Sequence, residues 1–358
     1  MNPPYYQDDA VTLHHGPALD VLATLPDESA DCIVTSPPYF WLRSYLPADH
    51  LDKHREQGTE ASPAEFIEGM RAVFAEARRV LAKDGTLWVN IGDSYASAGG
   101  SSGVGPNAVV GSTRRQSEAR TRPSADRPAK NLLGIPWRLA FALQDDGWIL
   151  RNDIVWSKPN AMPESVTDRL SVKHEYVFMF SRSRRYWFDL DPIREPLAYP
   201  AERTQNSWAR DTKDADVPGQ TMRQHRADRP GKGGGTNLRP TGRQHLTPDT
   251  HGGRNPGTVW TIPTTPFPGA HYAVMTPALA ERCILAGCRP GGTVLDPYSG
   301  AGTTGMVANR HGRRYVGIDL DAKALDLSLR TRLAQGAMVD IEFRYVHEPR
   351  VIGEVVAC

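Results

Sequence analysis

Thr35, Ser36, Pro37, Pro38 and Tyr39 follow directly on the apolar run Cys32-Ile33-Val34. Two consecutive prolines after a strand stiffen its exit and remove two amide donors, so carbonyl oxygens and the Ser36 hydroxyl face whatever lies beyond the sheet edge. Tyr39 adds a flat apolar face. Acceptors in one plane with an aromatic ring to stack above them make a site for a planar amine. Ser36, Pro37, Pro38 and Tyr39 are therefore the candidate catalytic residues. Taken alone, the tetrapeptide is equally compatible with a loop in which Ser-Pro-Pro merely ends a strand.

A second motif far along the chain changes that balance. The short run Thr293-Val294-Leu295 feeds Asp296-Pro297-Tyr298-Ser299-Gly300-Ala301-Gly302-Thr303-Thr304-Gly305, and Thr303 can open a helix through Met306, Val307 and Ala308. Strand, tight glycine turn and helix start form the cradle with which Rossmann-type sheets hold a nucleotide-like ligand. Arg314 to Ile318 reads as the next strand, ending in Asp319 and Leu320, and an acid at that tip accepts ribose hydroxyls. No Gly-Lys-Ser/Thr follows the glycines, so a phosphate-gripping loop is disfavoured. The cradle suits a nucleoside without phosphates.

Together the two motifs resemble the signature loops of the amino-group DNA methyltransferases that use S-adenosylmethionine. The serine form of the tetrad resembles their cytosine-N4 branch, and a catalytic motif placed before the cofactor motif resembles the permuted order called the β class. Tyr298 stands where that family's loop usually carries phenylalanine. The resemblance runs from about Val11 to Asp321, with gaps. It implies a Rossmann-like class I methyltransferase sheet with flanking helices, an antiparallel hairpin, circularly permuted motif order and an irregular target-recognition insertion. It also implies S-adenosylmethionine as cofactor, held by Thr35, Asp296, Pro297, Tyr298, Ser299, Gly300, Gly302, Thr303, Thr304, Asp319 and Leu320. His271 and Ala273 fall in the family segment that approaches the methionine end. Gly16-Pro17 stands where the family has Gly-Asp, with Asp20 one helical turn later as a substitute. Asn2-Pro3-Pro4-Tyr5 spells the tetrad of many adenine-N6 enzymes, but no strand precedes it and it reads as coincidence.

A chain of 358 residues with 39% hydrophobic content can bury one substantial α/β core and carry a smaller lobe. No signal peptide opens it and no apolar stretch approaches spanning length, which predicts a cytoplasmic protein with no membrane partner. The four cysteines, Cys32, Cys283, Cys288 and Cys358, lack metal-site spacing, so no metal is expected. None follows proline in the Pro-Cys arrangement of cytosine-C5 methyltransferases, which counts against C5 chemistry. The formal net charge of +1 rules out a chain that is basic throughout. Arginines are instead concentrated in two segments without core-forming periodicity. Residues 96–130 contain Arg114 and Arg115, and residues 196–260 contain Arg223, Arg226, Arg239 and Arg243. As segments they read as positive arms for duplex DNA, the second being the target-recognition region. The expected organisation is a catalytic half over 1–195, recognition over 196–260, a cofactor half over 261–345 and a tail over 346–358.

The positioning elements are legible from periodicity. Residues 65–81 place Phe66, Met70, Val73, Phe74, Ala77 and Val80 on one helical stripe, with Ser62-Pro63 as start signal and Gly85 as stop. Residues 86–91 read as a buried strand, 132–147 as a helix and 149–156 as a strand. Residues 175–180 and 186–188 look like a hairpin. The resulting expectation is a site-specific DNA methyltransferase that modifies the N4 amine of a flipped cytosine, in restriction-modification or epigenetic marking. An adenine-N6 enzyme on the same fold, an RNA or small-molecule methyltransferase, and a non-catalytic nucleic-acid-binding protein are the rivals. Double-stranded DNA is the expected partner, with a homodimer and a cognate restriction endonuclease as further candidates.

Overall fold

The structure, a computed structural model, describes residues 3–96, 127–196, 253–266 and 275–333. Strands β1 (Tyr6–Gln7), β2 (Val11–His15), β3 (Ala30–Thr35), β4 (Leu81–Ile91), β5 (Ile149–Ser157), β6 (His174–Ser181), β7 (Val259–Thr261), β8 (Thr293–Asp296) and β9 (Arg314–Asp319) form one sheet. Its spatial order is β1-β2-β9-β8-β3-β4-β6-β5-β7. Helices α1 (Ala18–Thr24), α2 (Pro63–Val80), α3 (Ile135–Asp145), α4 (Pro277–Gly287) and α5 (Thr303–Arg310) lie between the strands in sequence, and α6 (Ala322–Ser328) follows β9.

From β2 through β9, β8 and β3 to β4 the strands are parallel. The β3 chain continues to β4 on one side, whereas β8 continues to β9 on the other. That reversal is a topological switch point, where a crevice opens beyond the carboxyl ends of neighbouring strands. Cys32 pairs with Val294 and Ile33 with Leu295, so the sheet delivers both signature loops side by side.

Side chains alternate across the sheet with the two-residue period of a strand. Ile33, Leu87, Val89, Ile91, Leu295 and Ile318 join one cluster with Leu22 of α1, Phe66, Met70 and Phe74 of α2, and Leu139 of α3. On the alternate positions, Trp88 and Thr86 meet α4 so closely that a Cβ on Gly287 would sit 2.3 Å from Trp88 Nε1. Helices thus cover both faces, as near-continuous apolar runs in parallel strands require.

Helix α2 begins where Ser62 Oγ accepts from Glu65 N at 3.2 Å while the Glu65 carboxylate reaches back to Ala61 N at 3.3 Å. This reciprocal cap, with Pro63 in the first turn, fixes the start. The helix stops at Val80 because Leu81 already pairs with Ala30. Helix α3 starts at Ile135, later than the periodicity predicts. Gly134 at φ +70° turns the chain there, and Asp93 accepts from Gly134 N and Ile135 N, each at 3.0 Å.

One expectation is corrected. The hairpin is formed by β5 and β6, antiparallel, and residues 186–188 are not a strand. Both edges of β6 are taken, by β4 and β5, so the aromatic run Tyr186-Trp187-Phe188 has no edge to join. Trp187 N bonds instead to Asp84 O at 2.8 Å.

The chain divides into two units, Met1–Asp189 with Gly257–Cys358, and Leu190–Pro256. In the second, the described residues comprise a 3-10 turn at Asp191–Ile193 and a bridge between Glu195 and Arg254. Among the described residues no helix is long and apolar enough to cross a membrane. Cys32, Cys283 and Cys288 are buried free thiols, and no described His, Cys, Asp or Glu group is clustered to hold a metal ion.

Candidate active site

Asp296 closes β8 and Thr35 closes β3. Thr35 Oγ1 donates to Asp296 Oδ1 at 2.7 Å, and Thr304 Oγ1 donates to Oδ2 at 2.8 Å. Tyr298 N adds a bond to Oδ1 at 3.0 Å. The carboxylate staples the end of β3, the glycine turn and the first turn of α5 together. Burial pushes its carboxyl up to about 6, against the pull of those three donors. Asp319, closing β9, serves its own loop in the same manner. Its oxygens accept Gly300 N at 2.7 Å and Asp321 N at 2.8 Å, and burial pushes it up to about 6 as well. Each Asp319 oxygen keeps a further lone pair for a ligand hydroxyl.

A stability effect follows. Unfolded aspartate titrates near about 4, so between that value and about 6 the folded chain holds protons that the unfolded chain has lost. The stability so contributed is complete below about pH 4 and is lost as pH rises through about 6. An Asp296→Asn variant is expected to gain stability relative to wild type on moving from pH 4 to pH 7, by up to about 3 kcal/mol. Urea denaturation at the two pH values checks this; a pH-independent difference contradicts it.

Ser36, Pro38, Asp296, Pro297, Tyr298, Ser299, Gly300, Thr303, Thr304, Asp319 and Leu320 line one cavity of about 320 Å³. Thr35, Pro37, Tyr39 and Gly302 do not line it. Thr35 is fully buried behind Asp296, and Gly302 shapes the turn at φ +74°, where a Cβ would approach Ser328 Cβ to 2.8 Å. His271, Ala273, Arg114, Arg115, Arg223, Arg226, Arg239 and Arg243 lie outside the described residues.

Sequence reasoning missed a strap over residues 41–60, which supplies Tyr45, Leu46, Arg55, Glu56 and Gln57 to the cavity wall. Its organiser is the buried Glu56 carboxylate, which accepts from Leu46 N and Ser44 Oγ, both at 3.2 Å, and pairs with Lys53. Arg55 forms an ion pair with Asp20 of α1, itself a lining residue. Gly58, at φ +89°, packs so tightly that a Cβ would lie 3.0 Å from Pro38 Cβ. Tyr298 OH donates to Gln57 Oε1 at 2.5 Å, which ties the strap to the glycine loop. The one sequence signal for this tie was a tyrosine where phenylalanine was expected. Tyr298→Phe is expected to weaken cofactor binding about 3- to 10-fold, the worth of one net hydrogen bond. Unchanged affinity by calorimetry would uncouple strap from cavity.

Beside the cavity, Ser36 Oγ lies 3.5 Å from both Tyr39 OH and Asn90 Oδ1, and Tyr39 OH donates to Glu175 Oε2 at 2.7 Å. The Tyr39 ring packs on the end of β4, where a Cβ on Gly92 would come within 2.7 Å of Tyr39 Cε2. Burial and the neighbouring Glu175 charge raise the Tyr39 phenol well above its ordinary range, so it remains protonated.

A glycine-turn cavity at the switch point of a parallel sheet whose faces are covered by helices defines the class I methyltransferase fold. Residues 30–330 match the family described as DNA methylase, the N6/N4 methyltransferases. The chain is 40% identical over 321 residues to the Type II methyltransferase M.Cfr9I of Citrobacter freundii, covering 90% of this chain and 87% of that one. It is 41% identical over 317 residues to the Type II methyltransferase M.XycI of Xanthomonas campestris pv. cyanopsidis, covering 88% and 86%. Among solved structures, PvuII DNA methyltransferase (cytosine-N4-specific) superposes with a TM-score of 0.57 over 91% of this chain and 88% of that one, at 16% identity, a likeness of fold. The chain belongs to the N6/N4 DNA methylase family, whose methyl donor is S-adenosylmethionine.

Proposed function

We propose that this protein is a Type II DNA methyltransferase that modifies the exocyclic N4 amine of cytosine flipped out of duplex DNA. The observation that carries the reading is the placement of Ser36 on the wall of the nucleoside cavity, at the tip of the strand beside the glycine loop. The base assignment rests on serine at that position.

The cavity's residues fit S-adenosylmethionine. Asp319 offers acceptors for ribose hydroxyls on the cavity wall, and the positive-φ Gly300 brings backbone to that wall without a side chain. A volume of about 320 Å³ suits a ligand of that class. When bound, S-adenosylmethionine supplies a methyl group activated by a sulfonium.

The chain's own residues do the rest. Cytosine N4 is paired within the duplex and its lone pair is delocalised into the ring, so the base must leave the stack before it can react. Ser36 Oγ and Pro37 O accept the two amine hydrogens and favour a pyramidal nitrogen, while Tyr39 stacks on the ring. Those bonds strengthen as the nitrogen becomes cationic, which stabilises the transition state above the ground state. Holding amine and methyl donor in adjoining loops removes most of the entropic cost of bringing them together. The arginine-bearing segments over 96–130 and 196–260 supply phosphate contacts and target recognition. A cognate restriction endonuclease is the expected biological partner.

Expression in a bacterial host whose DNA lacks N4-methylcytosine tests the reading. Mass spectrometry of nucleosides from that host is expected to show N4-methylcytosine above background. New N6-methyladenine in its place would overturn the base assignment and keep the enzyme class.

A further inference from the structure

Stacking on a base needs only the ring of Tyr39, yet Ser36, Asn90 and Glu175 are gathered around its hydroxyl, with Lys158 behind Glu175. Glu175, at the start of β6, accepts from Tyr39 OH at 2.7 Å. Asn90, 3% exposed near the end of β4, lies 3.3 Å from the hydroxyl through Oδ1 and donates through Nδ2 to Glu175 Oε2 at 3.1 Å. Lys158, closing the turn after β5, pairs with the other Glu175 oxygen while its ammonium stands 4.3 Å from the centre of the Trp156 ring. Burying polar groups is costly unless they are hydrogen-bonded to one another, as these are, and packing alone would be met by phenylalanine.

The donor directions share one sense. Ser36 Oγ donates toward Tyr39 OH at 3.5 Å, and Tyr39 OH donates to Glu175 at 2.7 Å. A hydrogen-bonded chain of that polarity conducts a proton from Ser36 towards the carboxylate. The first link is long, as links in a substrate-free site often are before binding tightens them. Tyr39, held protonated by burial and by the Glu175 charge, conducts the proton and does not keep it.

We propose that Glu175 is the terminal acceptor of the proton lost by the methylated amine, reached through the hydroxyls of Ser36 and Tyr39. The proposal rests on the reading of Ser36-Pro37-Pro38-Tyr39 as the amine site. The balance is simple. The nitrogen lone pair forms the N–C bond as the C–S bond breaks, and sulfur keeps that electron pair. The cationic nitrogen gives one proton to Ser36 Oγ, Ser36 gives its own to Tyr39 O, and Tyr39 gives its own to the Glu175 carboxylate. A neutral methylamino group and a neutral Glu175 carboxyl result, and the carboxyl returns its proton to water when the product leaves. Glu175 acts through Tyr39 and so also positions it, and the test must separate the two roles.

Glutamine separates them, because it keeps an acceptor oxygen for the Tyr39 hydroxyl and cannot take a proton. Single-turnover methylation of unmethylated phage DNA with labelled S-adenosylmethionine would be measured for full-length wild type, Glu175→Gln, Glu175→Asp, Tyr39→Phe and the Glu175→Gln/Tyr39→Phe pair. Calorimetric cofactor affinity and thermal midpoints would confirm that each variant is folded and loaded. A relay predicts that Glu175→Gln and Tyr39→Phe each slow transfer about 100-fold with cofactor affinity and KM for DNA unchanged. It predicts that the double variant is no slower than either single one and that Glu175→Asp recovers part of the rate. Wild-type transfer left unchanged by Glu175→Gln overturns the relay alone. A wild type that binds cofactor and methylates no DNA overturns the function, and the relay with it.

Discussion

Replacing Tyr39 with alanine is expected to slow methyl transfer about 1000-fold while leaving S-adenosylmethionine affinity unchanged. The substitution removes the ring proposed to carry the flipped base, worth about 1–3 kcal/mol by analogy with base stacking on aromatic side chains. It also removes the hydroxyl that joins Ser36 to Glu175. Together these approach the loss seen when one preorganised transition-state contact is deleted from an active site. Cofactor affinity is spared because Tyr39 packs against the end of β4 and does not line the cavity. Calorimetry with S-adenosylmethionine, paired with single-turnover methylation, reads both quantities. A parallel loss of cofactor affinity would place Tyr39 in the cofactor site instead.

Asp296→Ala is expected to do the opposite, weakening cofactor binding about 100-fold in a protein that still folds. Its carboxylate contributes to the cavity wall, but its larger role is to hold Thr35, Thr304 and the Tyr298 amide around it. Thr35 and Thr304 are 0% and 1% exposed, so truncation leaves two buried hydroxyls without their acceptor, at about 1–3 kcal/mol each. Part of that cost falls on the glycine turn, which the ligand must find preformed. Asp296→Asn, which keeps one acceptor and can donate to a threonine oxygen, is expected to lose less. Unchanged cofactor affinity in folded Asp296→Ala would remove Asp296 from the site.

What the sequence disclosed follows from the range of the interactions involved. The two signature loops are legible because their chemistry is local: prolines strip amides from a strand end, and closely spaced glycines permit a turn that other residues resist. The stripe of α2 and its Ser62-to-Glu65 cap are local too, and the helix lies within two residues of its expected start. The meeting of the loops is not local. Thr35 and Asp296 are 261 positions apart, and although resemblance to a known family put both in the cofactor site, nothing in the sequence announced the bond between them. The strap over residues 41–60 shows no periodicity because a buried carboxylate, Glu56, holds it together, where an apolar stripe would have announced it. Glu175 and Asn90 sit in strands whose sequence gives no sign that their side chains turn towards Tyr39. The misplaced hairpin has the same origin. Residues 186–188 have the aromatic composition of a strand, but pairing depends on a free edge, and β6 has none.

The central claim is that the Ser36-Pro37-Pro38-Tyr39 loop and the Asp296-to-Thr304 loop form one methyl-transfer site for a cytosine amine. Its most direct test is transfer of labelled methyl from S-adenosylmethionine to mixed-sequence duplex DNA by the purified protein, with nucleoside mass spectrometry of the product. Ser36→Ala and Tyr39→Ala serve as controls. Label is expected in N4-methylcytosine and is expected to be lost in both variants. Label in N6-methyladenine, or N4-methylcytosine that survives both substitutions, would contradict the claim.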